Sequence, residues 1–220
     1  MKHATAFAPH QKLAQKLLGK TAVTNDGSHD ISHILRVWTN VQTIAATDGG
    51  DLRILTAATL LHDAVAVEKD APNRSQASHL AADAARSTLR KLDWTKDDID
   101  AVAHAIHAHS FSANVTPTTL EAKILQDADR LDAIGLIGVA RCFYVSGRMG
   151  RAIYDPDDPK AEHRNLNDTK FALDHFQTKL LQLKDSFQTA TGRSLAAKRH
   201  KQTQSFLTDL LAEIGGPSAN

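Results

Sequence analysis

Apolar residues recur along this chain at helical spacing. Between positions 31 and 45 they follow the i, i+3, i+4, i+7 order that brings side chains onto one face of an α-helix. No segment shows the strict alternation of apolar and polar residues that is typical of a half-buried strand. The pattern therefore predicts an all-α fold, a bundle of amphipathic helices.

Capping residues indicate where further helices begin. Asp51 is suited to this position because its carboxylate accepts hydrogen bonds from the first helical turn. Thr118 and Glu121 form the S/T-x-x-E capping box, and Thr95 with Asp98 forms a similar box with Asp in place of Glu. The helices predicted after the first span 52–61, 75–92 (capped by Ser75), 95–109, 118–135, 167–181 (capped by Asn167) and 194–214.

Length and charge restrict the class of protein. The 220 residues fit one domain spanning 1–220, with a motif core at about 28–185 and a C-terminal helix after it. A formal charge of +1 leaves no basic stripe for nucleic acid, and no apolar run is long enough to cross a membrane. The single cysteine, Cys142, excludes an intramolecular disulfide framework. With no signal-peptide pattern, we expect a cytoplasmic protein.

Four polar residues interrupt the apolar helical pattern in a way that suggests metal binding. His33, the adjacent pair His62 and Asp63, and Asp129 are each embedded among apolar residues. Burial of an imidazole or a carboxylate is costly unless the group is paired or bound to a metal. On a helix, His62 and Asp63 would diverge by about 100°. We therefore expect the ion to lie between helices, and this donor set suits Mn, Fe, Zn, Ni or Co better than Ca.

The local sequences around these residues resemble the HD superfamily of metal-dependent phosphohydrolases. The resemblance is carried by HDISHILRVW at 29–38, LLHDAV at 60–65 and QDADRLDAIGLIGVAR at 126–141. It implies an all-α HD domain with one divalent metal held by His33, His62, Asp63 and Asp129. His29 lies four residues before His33 and competes for the first position, but His33 is the histidine followed by ILRV, as in the family pattern.

The resemblance also implies an activity. It is strongest to small bacterial HD hydrolases related to nucleotide pyrophosphohydrolases, which favours cleavage of a (deoxy)nucleoside triphosphate to monophosphate and pyrophosphate. Mn²⁺ is the favoured ion, and Mg²⁺, Fe²⁺, Ni²⁺, Co²⁺ or Zn²⁺ would also fit. Two alternatives stay open: a phosphomonoesterase or phosphodiesterase acting on another small phosphorylated metabolite, and a non-catalytic HD module that binds a nucleotide. The base, the sugar and the oligomeric state are left open.

Phosphate chemistry also needs cations near the metal. Lys69 and Arg74 follow the His-Asp pair in a loop that should border a metal pocket, and Arg130 is adjacent to Asp129. Lys170 opens the helix predicted at 167–181. We predict that these four residues contact substrate, although any one of them could instead be a solvated surface cation.

A second group of histidines, at 104, 107 and 109, offers further catalytic candidates. The helical periodicity favours His107 and His109 beside the buried face, whereas the resemblance favours His104 and His109. They could hold a second metal, act as a general acid or donate to phosphate, or simply cap a helix. Asp132, one turn after Asp129, could orient a ligand or a water.

Overall fold

The computed structural model describes residues 3–21, 27, 30–65, 76–110 and 113–215. Across these residues the regular structure is helical, and the one β-type pairing is an isolated parallel bridge between Ala152 and Phe171. The predicted all-α fold is confirmed. The helices are α1 (Gln11–Leu17), α2 (Ile31–Asp48), α3 (Leu52–Leu61), α4 (Ala77–Arg90), α5 (Lys96–His109), α6 (Leu120–Asp132), α7 (Gly135–Arg148) and α8 (Ala190–Gly215).

By its internal contacts the chain divides into two compact units. The first comprises Met1–Asp129 with Gln188–Gly192, and the second comprises Arg130–Phe187 with Arg193–Asn220. None of the described helices is both long and apolar enough to cross a membrane.

Helix α3 is the centre of the first unit. All eight residues from Ile54 to Leu61 are buried, and the helix contacts α1, α2, α4 and α5. A helix that is apolar on every side is stable only when other elements cover it all round. Because α3 ends at Leu61, this packing brings the residues that follow it, His62 and Asp63, to a fixed position inside the unit.

Several predicted caps are confirmed. The Asp51 carboxylate accepts hydrogen bonds from the amides of Arg53 and Ile54, and the Thr95 hydroxyl accepts one from Asp98. The Asp98 carboxylate does not complete a capping box, because it pairs with Arg53 at 2.7 Å. Ser75, the predicted cap of α4, lies outside the described residues.

The capping box predicted at Thr118 is wrong by one residue. Helix α6 begins at Leu120, and the side chain of Thr119 accepts the hydrogen bond from the amide of Ala122. Glu121 does not close the box, since its Oε1 accepts from the amide of Asp51 at 3.0 Å. A glutamate that could serve its own helix instead ties α6 to the start of α3.

The continuous helix predicted through 135 is also wrong. Helix α6 ends at Asp132, Ile134 is extended, and α7 begins at Gly135. Gly135 has φ of +75°, a conformation that glycine adopts without strain, and its amide donates to the Thr203 hydroxyl at 2.8 Å. The apolar sequence across this break gave no signal for it.

The second unit has its own apolar core, centred on α7, α8 and the segment around Phe176. Three phenylalanine rings, Phe143, Phe176 and Phe206, lie with centroids 5.9–6.1 Å apart. The helix predicted at 167–181 is irregular: Phe171 forms the bridge with Ala152, and Phe176–Leu180 is a π-helical turn. C-terminal helix α8 begins four residues before its predicted start at 194.

The long segment at 146–167 is fastened by an arginine. Arg164 pairs through two nitrogens with Asp174 and through Nε with Asp155 at 3.2 Å, and its guanidinium lies 4.6 Å from the centroid of the Phe171 ring. Asp174 is 2% exposed, so this ion pair is largely screened from water. The segment is therefore tied to the second unit at a defined point.

Candidate metal centre

Two histidines of the first unit lie at the ends of helices and are oriented there in the same way. His62 follows α3, and its Nδ1 donates to the carbonyl of Thr59 at 2.8 Å. His109 ends α5, and its Nδ1 donates to the carbonyl of Ile106. Both carbonyls belong to the last turn, which a helix leaves unpaired. A carbonyl only accepts, so each Nδ1 carries the hydrogen, and in the neutral ring the lone pair is on Nε2.

The Nε2 atoms and two carboxylates converge. His33 Nε2 lies 3.3 Å from His62 Nε2, 3.5 Å from Asp129 Oδ1 and 3.7 Å from Asp63 Oδ2. His62 Nε2 lies 3.4 Å from the same Asp63 oxygen. Both rings are 1% exposed. The structure thus brings His33, His62, Asp63 and Asp129 together from α2, the end of α3, and α6.

These distances fit a shared cation. Metal–ligand bonds of about 2.0–2.2 Å put neighbouring donor atoms roughly 3–3.5 Å apart in tetrahedral or octahedral geometry. The His62 lone pair faces His33 Nε2 at 3.3 Å in a buried site, which is costly unless a cation or a proton lies between them. Since the donors are imidazole and carboxylate, the residues present fit a divalent transition metal.

Asp63 has its second oxygen on another side of the cluster. Its Oδ1 lies 4.0 Å from His109 Nε2, and the His109 ring lies edge-on to His62 with centroids 5.0 Å apart. His62, Asp63 and His109 form a second group of potential ligand atoms that lie within 4.8 Å of one another. The carboxylate of Asp63 is therefore shared by two sets of donors.

The electrostatics favour the protonation states that a cation needs. Burial lowers the pKa of His109, as does the charge of His62, although Asp129 and Asp63 oppose this. Burial raises the pKa of Asp129, but the histidines around it, His109, His33 and His62, outweigh this, so the pKa is lowered. A neutral imidazole and an ionised carboxylate are the metal-binding forms of these groups.

The observed geometry corrects the sequence-based picture of His62 and Asp63. Neighbours on one helix would point about 100° apart. Helix α3 ends at Leu61, however, so the pair lies in the turn that follows. Both side chains reach the same cluster because Asp63 is outside the helix.

Two buried amides hold the backbone beside the cluster. Asn40 Nδ2 donates to the carbonyl of Ala128 at 2.9 Å, next to Asp129. Gln126 Nε2 donates to the carbonyl of Ala108 at 2.6 Å, next to His109. Both side chains are at most 5% exposed. The sequence analysis missed these residues, although a buried amide one or three residues from a charged motif was a usable signal.

Asp127 fixes α6 from its other side. Its carboxylate accepts from the amides of Gln188 and Thr189 and from the Thr189 hydroxyl, at 2.8–2.9 Å, and the residue is fully buried. Gly192 belongs to the same arrangement, because an added Cβ would lie 2.3 Å from Asp127 Oδ2. The first aspartate of the QDAD motif is therefore a structural anchor two residues before Asp129.

The remaining predicted residues are distributed as follows. Lys69, Arg74 and the competing His29 lie outside the described residues. In the second unit, Arg130 Nη1 donates to the Ser186 carbonyl at 2.8 Å, and Asp132 pairs with Arg141 at 2.7 Å. Lys170 is exposed, with Nζ 4.9 Å from the centroid of the Phe171 ring. Their predicted roles stay predictions.

The three histidines of α5 separate. Only His109 joins the cluster. His104 Nε2 accepts from the amide of Thr118 at 3.0 Å, which ties α5 to the segment before α6. His107 is half-buried beside His79 on α4, with ring centroids 5.1 Å apart. The resemblance and the periodicity both favoured His109, and they disagreed only about residues that lie elsewhere.

Comparisons with known proteins agree with this geometry. The family model of the HD domain matches residues 30–134, a span that contains all five clustered residues. The protein YpgQ of Bacillus subtilis is 33% identical over 205 residues, covering 91% of this chain and 92% of its own length. The chain belongs to the HD superfamily of metal-dependent phosphohydrolases.

Solved structures include similar proteins. The crystal structure of Bacillus subtilis YpgQ in complex with ADP has a TM-score of 0.69 and 31% identity, covering 94% of this chain and 99% of that one. An HD-superfamily hydrolase from Bacillus thuringiensis has a TM-score of 0.66 and 30% identity, covering 98% and 97%.

Proposed function

We propose that this phosphohydrolase cleaves nucleoside or deoxynucleoside triphosphates to the monophosphate and pyrophosphate. The observation that carries the proposal is the cluster of His33, His62, Asp63 and Asp129, whose donor atoms lie at the spacing of ligands around one ion. The nucleotide part is supported by YpgQ, which was crystallised with ADP. The cleavage position rests on the motif resemblance.

In this proposal the four residues hold one divalent cation, with Mn²⁺ favoured over Mg²⁺, Fe²⁺, Ni²⁺, Co²⁺ or Zn²⁺. Such an ion supplies Lewis acidity, which polarises a phosphoryl oxygen and lowers the pKa of water. Asp63 and Asp129 offset the charge of the ion. The bond from His62 Nδ1 to Thr59 keeps the other ring nitrogen available as a donor atom.

His109 has a separate role on the other side of Asp63. Its Nδ1 is committed to Ile106, so Nε2 is the accepting atom of the neutral ring. From that position it can accept a proton from a group bound beside Asp63, or serve with His62 and Asp63 as a ligand for a second ion. The bound metal per chain, measured by plasma mass spectrometry, distinguishes one ion from two.

Cations would complete the phosphate site. The proposal retains Lys69, Arg74, Arg130 and Lys170 as phosphate contacts. Loss of one charge-assisted hydrogen bond costs about 1.5–3 kcal/mol. An alanine variant at a true contact should therefore raise KM or lower kcat at least about tenfold without releasing metal, and unchanged kinetics would remove that residue from the site.

Product analysis tests the reaction. Mono-, di- and triphosphate nucleotides are incubated with the Mn²⁺-loaded protein in ¹⁸O water, and products are resolved by phosphorus NMR. Attack at the α-phosphorus predicts pyrophosphate and a monophosphate that carries the ¹⁸O. Label in the pyrophosphate would mean attack at the β-phosphorus.

Other outcomes identify the alternatives. Stepwise release of orthophosphate would show a phosphatase instead. No turnover by a metal-loaded protein would point to another phosphorylated metabolite or to a binding module. An Asp63→Asn variant serves as the inactive reference, and Asp83→Asn, which alters a carboxylate that is 57% exposed on α4, serves as the matched control.

A further inference from the structure

The second unit contains an oriented histidine that the metal centre does not use. His175 Nδ1 donates to Asp168 Oδ2 at 2.8 Å, and the Thr178 hydroxyl donates to the same oxygen at 3.1 Å. An ionised carboxylate only accepts, so Nδ1 carries the hydrogen. The Nε2 edge then remains for another group, and none of the described residues is bonded to it. The ring is 24% exposed, so a ligand can reach it from solvent.

The local backbone brings cations to this pair. Ala152 pairs with Phe171, with its amide donating to the Lys170 carbonyl at 3.1 Å, so Arg151 lies at the start of a segment that runs beside 170–172. Lys179 lies in the π-helical turn Phe176–Leu180, four residues after His175. The charge of Arg151 acts on both Asp168 and His175, and the charge of Lys179 acts on His175.

The balance of charge is positive. Asp168 is the anion of the group, because the hydrogen bond from His175 lowers its pKa despite partial burial. Burial lowers the pKa of His175, and the charges of Lys179 and Arg151 add to this, while Asp168 opposes it. One carboxylate already engaged by two donors therefore faces two permanent cations and a third group that can become cationic. An added oxyanion would relieve this excess and let the imidazole donate from Nε2.

We propose that His175, held by Asp168 and flanked by Arg151 and Lys179, forms a phosphate-binding site in the second unit. The chemistry it recognises is a phosphate oxyanion, which accepts from Nε2–H and from the guanidinium. This inference rests on the proposed function for its source of phosphate, namely the chain of a triphosphate substrate or the released pyrophosphate. Anchoring of the loop alone needs neither the cations nor the half-buried Nε2 edge.

Pyrophosphate binding tests the site without catalysis. The full chain is titrated with inorganic pyrophosphate in the presence of a chelator, which limits binding at the metal centre. Calorimetry and ¹⁵N NMR of the histidine rings provide the readouts. We expect the Nε2 resonance of His175 to shift, and the Kd to rise about tenfold in Arg151→Gln and in His175→Gln, the loss expected for one charge-assisted hydrogen bond.

A matched control separates a site from bulk charge. Lys201, exposed on α8, is replaced by Gln and should leave the Kd within about twofold of the parent value, as expected for loss of a distant, solvent-screened charge. An unshifted His175 resonance would overturn the proposal. So would equal affinities in Arg151→Gln and Lys201→Gln. Because Arg151→Gln removes no buried group, it keeps the test valid even if His175→Gln destabilises the fold.

The source of the phosphate is resolved by a second arm. If the site takes the substrate, the variants also bind a non-hydrolysable triphosphate analogue about tenfold more weakly, and KM rises. If it takes the product, only pyrophosphate binding and product inhibition weaken. Pyrophosphate binding that depends on His175 in a protein without nucleotide turnover would refute the proposed function alone, and turnover without such binding would refute only this site.

Discussion

The buried amide of Gln126 provides a sharp test of how the candidate metal centre is held. Gln126 is 2% exposed, and its Nε2 donates to the carbonyl of Ala108, next to His109. That carbonyl is one of the last four of α5, which the helix itself does not pair. Gln126→Leu removes the donor while keeping much of the side-chain volume, and so leaves a buried acceptor unsatisfied.

The structure sets the size of the effect. An unsatisfied buried carbonyl costs about 1–3 kcal/mol. Gln126 Oε1 is itself buried without a hydrogen-bond partner, so its removal offsets part of this cost. We expect a net loss of about 1–2 kcal/mol, which lowers Tm by roughly 2–8 °C for a chain of this size. Asn40→Leu should cost less, about 0.5–1.5 kcal/mol, because the Ala128 carbonyl lies inside α6.

The assay must distinguish loss of stability from loss of positioning. Scanning calorimetry gives Tm, and Mn²⁺ titration at a temperature where both proteins are fully folded gives the metal Kd. We expect Gln126→Leu to weaken Mn²⁺ binding about tenfold, in the range typical of residues that orient metal ligands. Gln42→Leu, on the exposed side of α2, is the control. Equal Tm and equal Mn²⁺ affinity in the two variants would refute the reasoning.

Three further predictions concern the centre and its anchor. Asp63→Asn should lose metal and activity but keep its helical circular dichroism, whereas Asp83→Asn should keep both; a metal-replete, active Asp63→Asn protein would contradict the ligand assignment. Chelation should stop hydrolysis and added Mn²⁺ should restore it, and activity that persists in excess chelator would contradict a metal requirement. Gly192→Ala should cost about 1–3 kcal/mol in urea unfolding because its Cβ would meet the Asp127 carboxylate, whereas Gly147→Ala, with open space around the site of its Cβ, should be neutral or stabilising by up to about 1 kcal/mol.

The sequence predicted the elements whose signals are local. The Asp51 cap and the apolar stripe of α2 depend on residues close together in the chain, and both are confirmed. The break before Gly135 and the use of Glu121 by Asp51 could not be predicted in this way. Each depends on a partner far along the chain, Thr203 in one case and α3 in the other. Local propensity cannot report a hydrogen bond made to a distant residue.

The candidate site was predictable to a different depth. Its donor residues could be found because a histidine or a carboxylate within an apolar segment needs a compensating partner. Their supports, Asn40, Gln126 and Asp127, were missed because a single polar residue in a helix is also compatible with an exposed position. Among the α5 histidines, only tertiary packing separated His109 from His104, since all three lie within two turns.

The placement of His62 and His109 explains why the site depends on helix ends. A histidine inside a helix finds its backbone carbonyls already paired, and its ring is then free to rotate. At the end of α3 or α5 the last carbonyls lack helical donors, so an Nδ1–H can take that place and fix the ring. The same bond that completes the helix therefore sets the tautomer and directs Nε2 toward Asp63. If helix length is what positions these nitrogens, one extra residue between Leu61 and His62 should abolish metal binding while all the ligands remain present. An insertion variant that folds and still binds Mn²⁺ with parental affinity would show that the ligands, rather than the helix ends, determine the site.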